Sequence, residues 1–360
     1  MSETSIPQGK TLVTGAAGHV GANLVHLLVE QGVDVRALVL RGANNRAVEG
    51  LPVEVVHGDI RDEDSVAAAV RGCTRVFHVA AKVSTLSAGA GEQRALYEVN
   101  TMGAKNVLRA ALAADVARVV LTGSFSSTGY DPDDPSQPSQ ESRPFYPFGP
   151  VMPYSHTKAL AEHELLRAVV DGLDAVIATS TACVGPYDYL PSRMGRTMCD
   201  YAHGKLRAYV PGGFEFIRAR DLALGHVAAM EHGRRGHKYT FATHFHTLGD
   251  LVALWSEVMG LPPVRLRLPA SVMAGITGVY SGALSKFFPN LPQRLTPGAI
   301  SVLRMRRHAD TSKARTELNW QPTDLRTAII EAYEFFAREN MIPRPPVVSV
   351  PAAAQSVAGA

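Results

Sequence analysis

Tyr154 and Lys158 lie four residues apart and are the two side chains of this sequence best suited to acid–base chemistry. In a helix this spacing places both side chains on one face, one turn apart. A free tyrosine has a pKa of about 10 and exchanges protons poorly at neutral pH, whereas a neighbouring ammonium stabilises the phenolate. We therefore expect Lys158 to lower the pKa of Tyr154, and Tyr154 to donate or accept a proton.

Hydroxyl side chains follow the predicted strand 118–122, which precedes this pair in the chain. Ser124 and Ser126 come directly after its end. They are explained either by turn chemistry or by a need to polarise a carbonyl, because the carboxyl ends of parallel strands are where open α/β sheets bind ligands.

A glycine-rich turn near the start of the chain predicts a second part of the same site. Gly15, Gly18 and Gly21 lie between the apolar strand 11–13 and a helix with apolar residues near 3.6-residue spacing. Such a turn needs residues without Cβ, and the free N–H groups at a helix start attract phosphate. The spacing has one residue more than G-x-G-x-x-G between its first two glycines, and a plain strand-to-helix connection is the simpler explanation. With a second apolar strand at 35–40, the turn predicts dinucleotide binding.

The end of the second strand favours NADP over NAD. An NAD site usually has an acidic residue there to accept from the ribose 2′-hydroxyl. No acidic residue occurs at the end of this strand. Arg41 and Arg46 follow instead, and an arginine pairs well with a 2′-phosphate. The alternative is that both are solvated loop charges.

The third strand, 53–56, leads to a candidate adenine site. Asp59 is placed to accept from the adenine amino group, and Ile60 to pack on the ring. Asp62 or Asp64 is expected to cap the helix that follows.

Small or polar residues are predicted beside the cofactor at three further places. Ala80 and Ala81 end a buried strand and leave room for a ligand, and Thr181 follows the strand that passes the nicotinamide. Asn100 lies among apolar neighbours in a predicted helix over 97–114, so it either joins two backbone segments or reaches the cofactor.

Composition narrows the class of protein. The chain has 360 residues, 46% of them hydrophobic, a net charge of +3 without a basic stripe, and three cysteines. These features favour a cytoplasmic protein with a small-molecule substrate and no nucleic-acid partner. The thirteen histidines are scattered, so no metal site is predicted.

The regular alternation of strands and helices ends near Pro186. We predict a flexible N-terminus at 1–9, a cofactor domain formed by 10–186 and 214–241, a substrate-binding lobe formed by 187–213 and 242–341, and a disordered tail at 342–360. The proline-rich stretch 131–153 is expected to be a substrate lid or a disordered insertion. The apolar stretch 269–288 is expected to be a buried or lipid-grazing helix rather than a membrane span. An apolar substrate wall is expected from Tyr187, Tyr189, Met194, Met198 and Tyr201.

Together these motifs resemble the extended short-chain dehydrogenase/reductase superfamily over roughly residues 10 to 340, and most closely its dihydroflavonol reductase and hydroxysteroid dehydrogenase-like branch. The matching residues are Thr14-Gly15-x-x-Gly18-x-x-Gly21, Asp59-Ile60, Val99-Asn100-x-x-Gly103-x-x-Asn106-Val107, Thr122-Gly123-Ser124, Tyr154-x-x-x-Lys158, Gly185-Pro186, Arg220-Asp221-Leu222-Ala223 and Asp310-Thr311-Ser312-Lys313-Ala314.

The resemblance implies an α/β fold, a Rossmann doubly wound parallel sheet with a smaller, mostly C-terminal substrate-binding lobe, and a homodimer formed through two helices of the cofactor domain. It implies that Tyr154 exchanges a proton with the substrate oxygen, that Ser124 donates to that oxygen, and that Lys158 holds the cofactor ribose. The cofactor-binding residues expected are Gly15, Ala17, Gly18, His19, Val20, Gly21, Arg41, Asp59, Ile60, Ala80, Ala81, Asn100, Tyr154, Lys158 and Thr181. Two departures are that Gly123 replaces a hydroxyl residue common in the family and that Ser126 lies close enough to take the role of Ser124.

Three functions follow as hypotheses. The first is an oxidoreductase for a ketone or secondary alcohol on a mid-sized, largely apolar substrate that is flavonoid-, steroid- or polyketide-like. The second is an epimerase or dehydratase that retains NAD and acts on a nucleotide-activated sugar. The third is a protein that binds the cofactor without turnover.

Overall fold

The computed structural model of the chain describes residues 9–84, 89–131, 133–134, 137–145, 152–268 and 303–343. The predicted helix at 269–288 lies outside these residues, as do residues 1–8, 344–360 and parts of the proline-rich stretch. No helix among the residues described here is long and apolar enough to cross a membrane.

A seven-stranded sheet forms the centre of the molecule, and every pairing in it is parallel. Its order is β3-β2-β1-β4-β5-β6-β10, so the strand order reverses beside β1, as in a doubly wound sheet. This confirms the predicted Rossmann architecture. The strands of the chain are β1 (Thr11–Thr14), β2 (Val35–Val39), β3 (Glu54–His57), β4 (Arg75–His78), β5 (Arg118–Ser124), β6 (Ala175–Ser180), β7 (Ala182–Val184), β8 (Ala208–Tyr209), β9 (Gly213–Arg218), β10 (Lys238–Phe241), β11 (Phe245–Thr247) and β12 (Leu266–Arg267).

Helices cover both faces of this sheet. One face packs against the helices α1 and α7, and the other against α2, α4 and α5. Leu24 of α1 and Val107 of α4 are fully buried on opposite faces, because each helix presents one apolar stripe to the strands. The helices are α1 (His19–Glu30), α2 (Glu63–Val70), α3 (Ala90–Tyr97), α4 (Gly103–Ala113), α5 (Pro153–Val170), α6 (Arg193–Ala202), α7 (Ala219–His232), α8 (Leu248–Met259), α9 (Ser312–Leu318) and α10 (Leu325–Arg338).

The predicted helix over 97–114 is interrupted. A π-helical turn at Glu98–Met102 separates α3 from α4 and contains Asn100 and Thr101, both buried. Their side chains bond to neighbouring segments, as described below. A π-turn lets one residue more face those partners, which periodicity alone did not predict.

The remaining strands form two small sheets, β11-β9-β7 and β12-β8. A separate apolar core joins the sheet β11-β9-β7 to α6, α8 and α10, and it extends to the buried Ile342. The helix α9 is different, since Ala314 and Leu318 pack into the core of the large sheet. The division into a cofactor domain and a substrate lobe stays a prediction. In the structure β9 belongs to a small sheet, and α9 packs into the core of the large sheet.

Candidate active site

The turn between β1 and α1 is shaped for close approach to the backbone. Gly15 has φ +67°, and a Cβ there would lie 2.7 Å from the Cα of Ala80. A Cβ on Gly21 would lie 2.1 Å from the carbonyl oxygen of Gly15. Gly18 is the N-cap of α1, and no side chain caps that helix end. The first N–H groups of α1 therefore point at a turn free of side chains, as a pyrophosphate site requires.

Thr14 joins this turn to the end of β4. Its hydroxyl lies 2.8 Å from Nδ1 of His78 and accepts from the N–H groups of Val79 and Ala80, each at 3.2 Å. Thr14 and His78 are buried. Because the hydroxyl accepts twice from the backbone, its proton is left to donate to His78. The two strand ends that flank the turn are thus held at fixed separation, and Ala80 lies against Gly15.

The third strand leads to Asp59 and Ile60 at the same edge of the sheet. Asp59 forms an ion pair with Arg61 at 2.5 Å, and hydrogen bonds from Arg61 hold the pKa of Asp59 below its usual value. Ile60 is buried against Gly103, and Asn106 Nδ2 donates to the Ile60 carbonyl at 3.0 Å. The role of Asn106 in shaping this loop is visible only in the structure. Asp62, not Asp64, caps α2.

The two arginines after β2 have different surroundings. Arg46 pairs with Glu339 at 2.5 Å and lies over the ring of Tyr189 at 5.1 Å. Arg41 is exposed and has no ion pair among the residues that the structure describes. Arg41 is therefore the one of these two that is free to meet a 2′-phosphate.

The end of β5 brings the predicted hydroxyls together. Ser124 Oγ lies 2.9 Å from Ser126 Oγ and accepts from the Ser126 N–H at 3.3 Å. Both serines are half-buried. Gly123 has no space for a side chain, since its Cβ would lie 2.8 Å from a methyl carbon of Ile177. That crowding explains why glycine replaces a hydroxyl residue at this position.

Tyr154 and Lys158 lie in the first turns of α5, beside the end of β5. We call the end of β5 and the first turns of α5 together the catalytic corner. The Tyr154 hydroxyl is within hydrogen-bonding contact of Ser124, and that bond lowers the pKa of Tyr154, but burial raises it more. The pKa of Tyr154 therefore lies above its ordinary value. Our expectation that Lys158 lowers it is wrong for this structure, because burial is the larger effect on this pKa. Lys158 Nζ donates to the Thr122 carbonyl at 2.6 Å.

Lys158 is itself the strongly perturbed group. It is 4% exposed, and burial lowers its pKa to about 8, while Glu162 one turn further raises it. The buried imidazoles of His78 and His226 both feel its charge, and burial lowers their pKa values to about 3 and about 4. Both histidines are therefore neutral at pH 7, and the ammonium of Lys158 is the positive charge of this corner.

Glu162 connects α5 to the far side of the turn Phe125–Ser127, here called the catalytic turn. Its carboxylate pairs with Lys238 and lies 2.7 Å from Ser127 Oγ. Ser127 Oγ is also 2.6 Å from the Ser124 carbonyl oxygen. Glu162 lies four residues after Lys158, so the two side chains share one face of α5. Glu162 is not among the predicted site residues.

Asn100 bonds to protein groups on both sides. Its Oδ1 accepts from the Lys82 N–H at 2.7 Å, and its Nδ2 donates to the Lys82 carbonyl at 2.9 Å and to Thr157 Oγ1 at 3.1 Å. These contacts correspond to the first of the two alternatives, a side chain that joins two segments. Thr101 Oγ1 donates to the Thr157 carbonyl, so both residues hold α5 beside Lys158.

The other predicted residues occupy mixed positions. His19 has a buried Nε2 without a partner among the described residues, and Thr181 donates to the Phe241 carbonyl at 3.1 Å. Ala17 and Val20 are half-buried, whereas Ala81 is exposed.

The predicted apolar wall is in part core. Met198 and Tyr201 are buried inside the second core, and Tyr201 Oη donates to the Pro262 carbonyl at 3.1 Å. Tyr187 stacks on His26 with ring centroids 3.8 Å apart, and Tyr189 packs edge-on against Phe335. Met194 also packs against this core. The expected wall is thus largely internal packing, because aromatic and methionine side chains fill cores as readily as pockets.

A basic groove of about 420 Å³ lies beside the small sheet of β8 and β12. Arg267, Arg304 and Arg306 line it, with Tyr209 and Thr247, and none of the described lining residues is acidic. The sequence did not predict this group, because Arg267 comes from another segment than Arg304 and Arg306. No group of histidines, cysteines or carboxylates suited to a metal occurs in the described parts of the chain.

Comparison with known proteins also indicates a site for a nicotinamide dinucleotide. The model of the NAD dependent epimerase/dehydratase family matches residues 11–242. The chain belongs to that family. It is 39% identical to sterol demethylase protein B of Methylococcus capsulatus, over 92% of this chain and 99% of that protein. It is 30% identical to a putative dihydroflavonol 4-reductase of Synechocystis, over 92% of this chain and 95% of that protein.

A solved structure of the family shares the fold. The dTDP-glucose 4,6-dehydratase DesIV of Streptomyces venezuelae, solved with NAD bound, superposes with a TM-score of 0.72 at 22% identity, over 92% of this chain and 97% of that chain. As a member of the family, the chain is a nicotinamide-dependent enzyme of the extended short-chain dehydrogenase/reductase type.

The residues present fit a nicotinamide dinucleotide. The tight turn excludes side chains at Gly15 and Gly21, because a Cβ there would collide with the backbone of Ala80 or of Gly15. The helix α1 begins at this turn without a side-chain cap, and Lys158 offers a buried ammonium at the other end. These groups match the pyrophosphate and the ribose of such a cofactor.

Proposed function

We propose that this enzyme reduces a ketone, or oxidises the corresponding secondary alcohol, on a mid-sized and largely apolar substrate that is steroid-, flavonoid- or polyketide-like. The observation that supports it best is the half-buried Tyr154 in contact with Ser124. Burial raises the pKa of this phenol, so it keeps its proton at neutral pH and is a proton donor. The names of two relatives, which refer to a sterol and to a flavonol, support the substrate class.

In this reaction Tyr154 donates its proton to the carbonyl oxygen of the substrate. Ser124, or Ser126 at 2.9 Å from it, donates a hydrogen bond to the same oxygen and stabilises the negative charge that develops there. Lys158 binds the ribose hydroxyls through its ammonium. The nicotinamide, when bound, supplies the hydride to the carbonyl carbon.

We further infer NADP as the preferred cofactor and a cytoplasmic homodimer. Arg41 is exposed at the end of β2, and no acidic residue occupies that strand end. On α5, Leu160, Leu166 and Val170 are exposed by 41%, 43% and 85%. An apolar surface on a helix of the cofactor domain supports association through that helix. Sedimentation analysis of the wild-type chain and of Val170→Asp tests the dimer, and an unchanged monomer in both contradicts it.

The test of the reaction is net consumption of NADPH with a panel of substrates. We expect ring ketones of steroid or flavanonol size to oxidise NADPH with one equivalent of alcohol formed, and Ser124→Ala to reduce that rate. Acetone serves as the control for size. If no ring ketone is turned over while dTDP-glucose is converted without net loss of NADPH, the proposal is wrong.

A second candidate is an epimerase or dehydratase for a nucleotide-activated sugar. The groove with Arg267, Arg304 and Arg306 favours it, because guanidinium groups without carboxylate neighbours bind phosphates. The double variant Arg304→Gln/Arg306→Gln separates the two. It should abolish turnover of a nucleotide sugar under this candidate, and leave ketone reduction unchanged under the first.

A further inference from the structure

Arg307 reaches from the second lobe onto the loop that follows Ser124. Its guanidinium lies between the rings of Phe125 and Tyr130, with 4.6 Å from its central carbon to each ring centroid. Its Nη2 donates to the Thr128 carbonyl at 2.7 Å and to Ser139 Oγ at 2.9 Å. Burial lowers the pKa of Arg307 to about 10, so it stays protonated at neutral pH.

The contacts of Arg307 enclose the turn that sets the Ser124 hydroxyl. Residues Phe125–Ser127 form a 3₁₀ turn, and Phe125 and Thr128 lie at its two ends. Ser124 Oγ accepts from the backbone inside this turn. A shift of the turn would therefore change where the Ser124 and Ser126 hydroxyls point.

The backbone directly after Arg307 is fixed as well. The Ser139 N–H donates to the His308 carbonyl at 2.8 Å, and the Asp310 N–H to the Ser139 carbonyl at 3.0 Å. The Ala309 N–H donates to the buried Glu215 of β9 at 2.9 Å. The segment that carries Arg307 is thus also held by contacts to β9 and to Ser139, outside the turn Phe125–Ser127.

We propose that Arg307 is a positioning residue that sets the Ser124 hydroxyl against the substrate oxygen, and this rests on the proposed role of Ser124. Its planar guanidinium packs against two aromatic rings while its Nη2 donates to two oxygens. A lysine ammonium keeps the charge but is neither planar nor forked. A lysine therefore does not substitute for Arg307, although it carries the same charge.

The test is a double-mutant cycle with Arg307→Lys and Ser124→Ala. A displacement of about 1 Å in a catalytic group lowers rates by up to about a hundredfold, so we expect Arg307→Lys to lower kcat about tenfold or more with little change in the KM for the cofactor. In the Ser124→Ala background the same change should lower kcat less than about twofold. Equal factors in both backgrounds would overturn the proposal.

Two further variants complete the test. Arg338→Lys is the control, because Arg338 also lies over an aromatic ring, that of Phe335 at 5.7 Å, but away from the catalytic turn; it should retain full kcat. Tyr130→Leu removes one face of the stack and should show a smaller, Ser124-dependent loss, which provides a readout if Arg307→Lys does not fold. A Ser124-independent loss in Tyr130→Leu contradicts the proposal.

The failure of this proposal is distinguishable from failure of the proposed function. If Ser124→Ala retains wild-type kcat, the role assigned to Ser124 is wrong and the proposal for Arg307 fails with it. If Ser124→Ala loses activity while the Arg307 effect persists in full, the positioning role alone is wrong.

Discussion

The glycine turn after β1 and the catalytic corner at the end of β5 lie at the same edge of the sheet, but backbone groups form the first and side chains form the second. The turn consists of backbone: three glycines within seven residues, without a side-chain cap. The corner consists of buried and half-buried side chains from β5 and α5, with Arg307 packed against the turn that follows Ser124. Backbone sites are specified locally and tolerate few side chains, whereas the corner depends on the charge and burial of residues far apart in sequence.

The largest effect that would sharpen this contrast is expected in the corner. Tyr154→Phe removes the proton donor without changing the turn, so we expect kcat to fall by about 10³-fold while the cofactor Kd changes by only a few-fold. Tyr97→Phe, an exposed tyrosine, is the control. Steady-state rates and cofactor titration check this, and a loss of binding as large as the loss of rate would contradict the assigned role.

The next effect concerns the turn. Gly15→Ala places a Cβ at φ +67° and 2.7 Å from the Ala80 Cα, so we expect a loss of cofactor affinity of at least about tenfold together with lower stability. Gly32→Ala is a matched control, because Gly32 has φ +71° and open space around its Cβ. It should cost about 1–2 kcal/mol of backbone strain without affecting the cofactor. Equal losses of affinity in both variants would show that strain, and not the close approach, is responsible.

Arg41→Ala probes the selectivity of the turn. Because Arg41 is exposed and unpaired among the described residues, we expect the KM for NADPH to rise about tenfold and that for NADH to change little. Arg46→Ala is the control, since Arg46 already pairs with Glu339. A similar increase for both cofactors with Arg41→Ala would end the argument for NADP.

The smallest expected effect is a change of pH dependence in the corner. The pKa of Lys158 is about 8, so its ammonium is present below pH 8 and lost above it. Activity that needs this charge should therefore fall as the pH rises through about 8. Glu162 raises the pKa of Lys158, so Glu162→Gln should move this limb to lower pH. The pH profile of kcat/KM measures it, and a limb that stays in place would separate Lys158 from the rate.

The same contrast explains which features could be predicted. The spacing of Gly15, Gly18 and Gly21 and the alternation of apolar strands with amphipathic helices predicted the nucleotide-binding fold, and the family comparison and the sheet order confirm it. The pair Tyr154 and Lys158 was placed correctly on one helix face near Ser124. The effect of Lys158 on Tyr154 was predicted wrongly, since a sequence does not reveal how far the phenol is buried.

The sequence by itself determined the strand, turn and helix of the cofactor side, because glycine conformation, helix periodicity and β-propensity act over a few residues. Only the tertiary structure decided that burial lowers the pKa of Lys158 and raises that of Tyr154, that Asn100 joins Lys82 to α5, and that Arg307 stacks on the turn after Ser124. Desolvation and long-range contacts depend on which segments meet across the fold, and that information is carried by the packed chain as a whole.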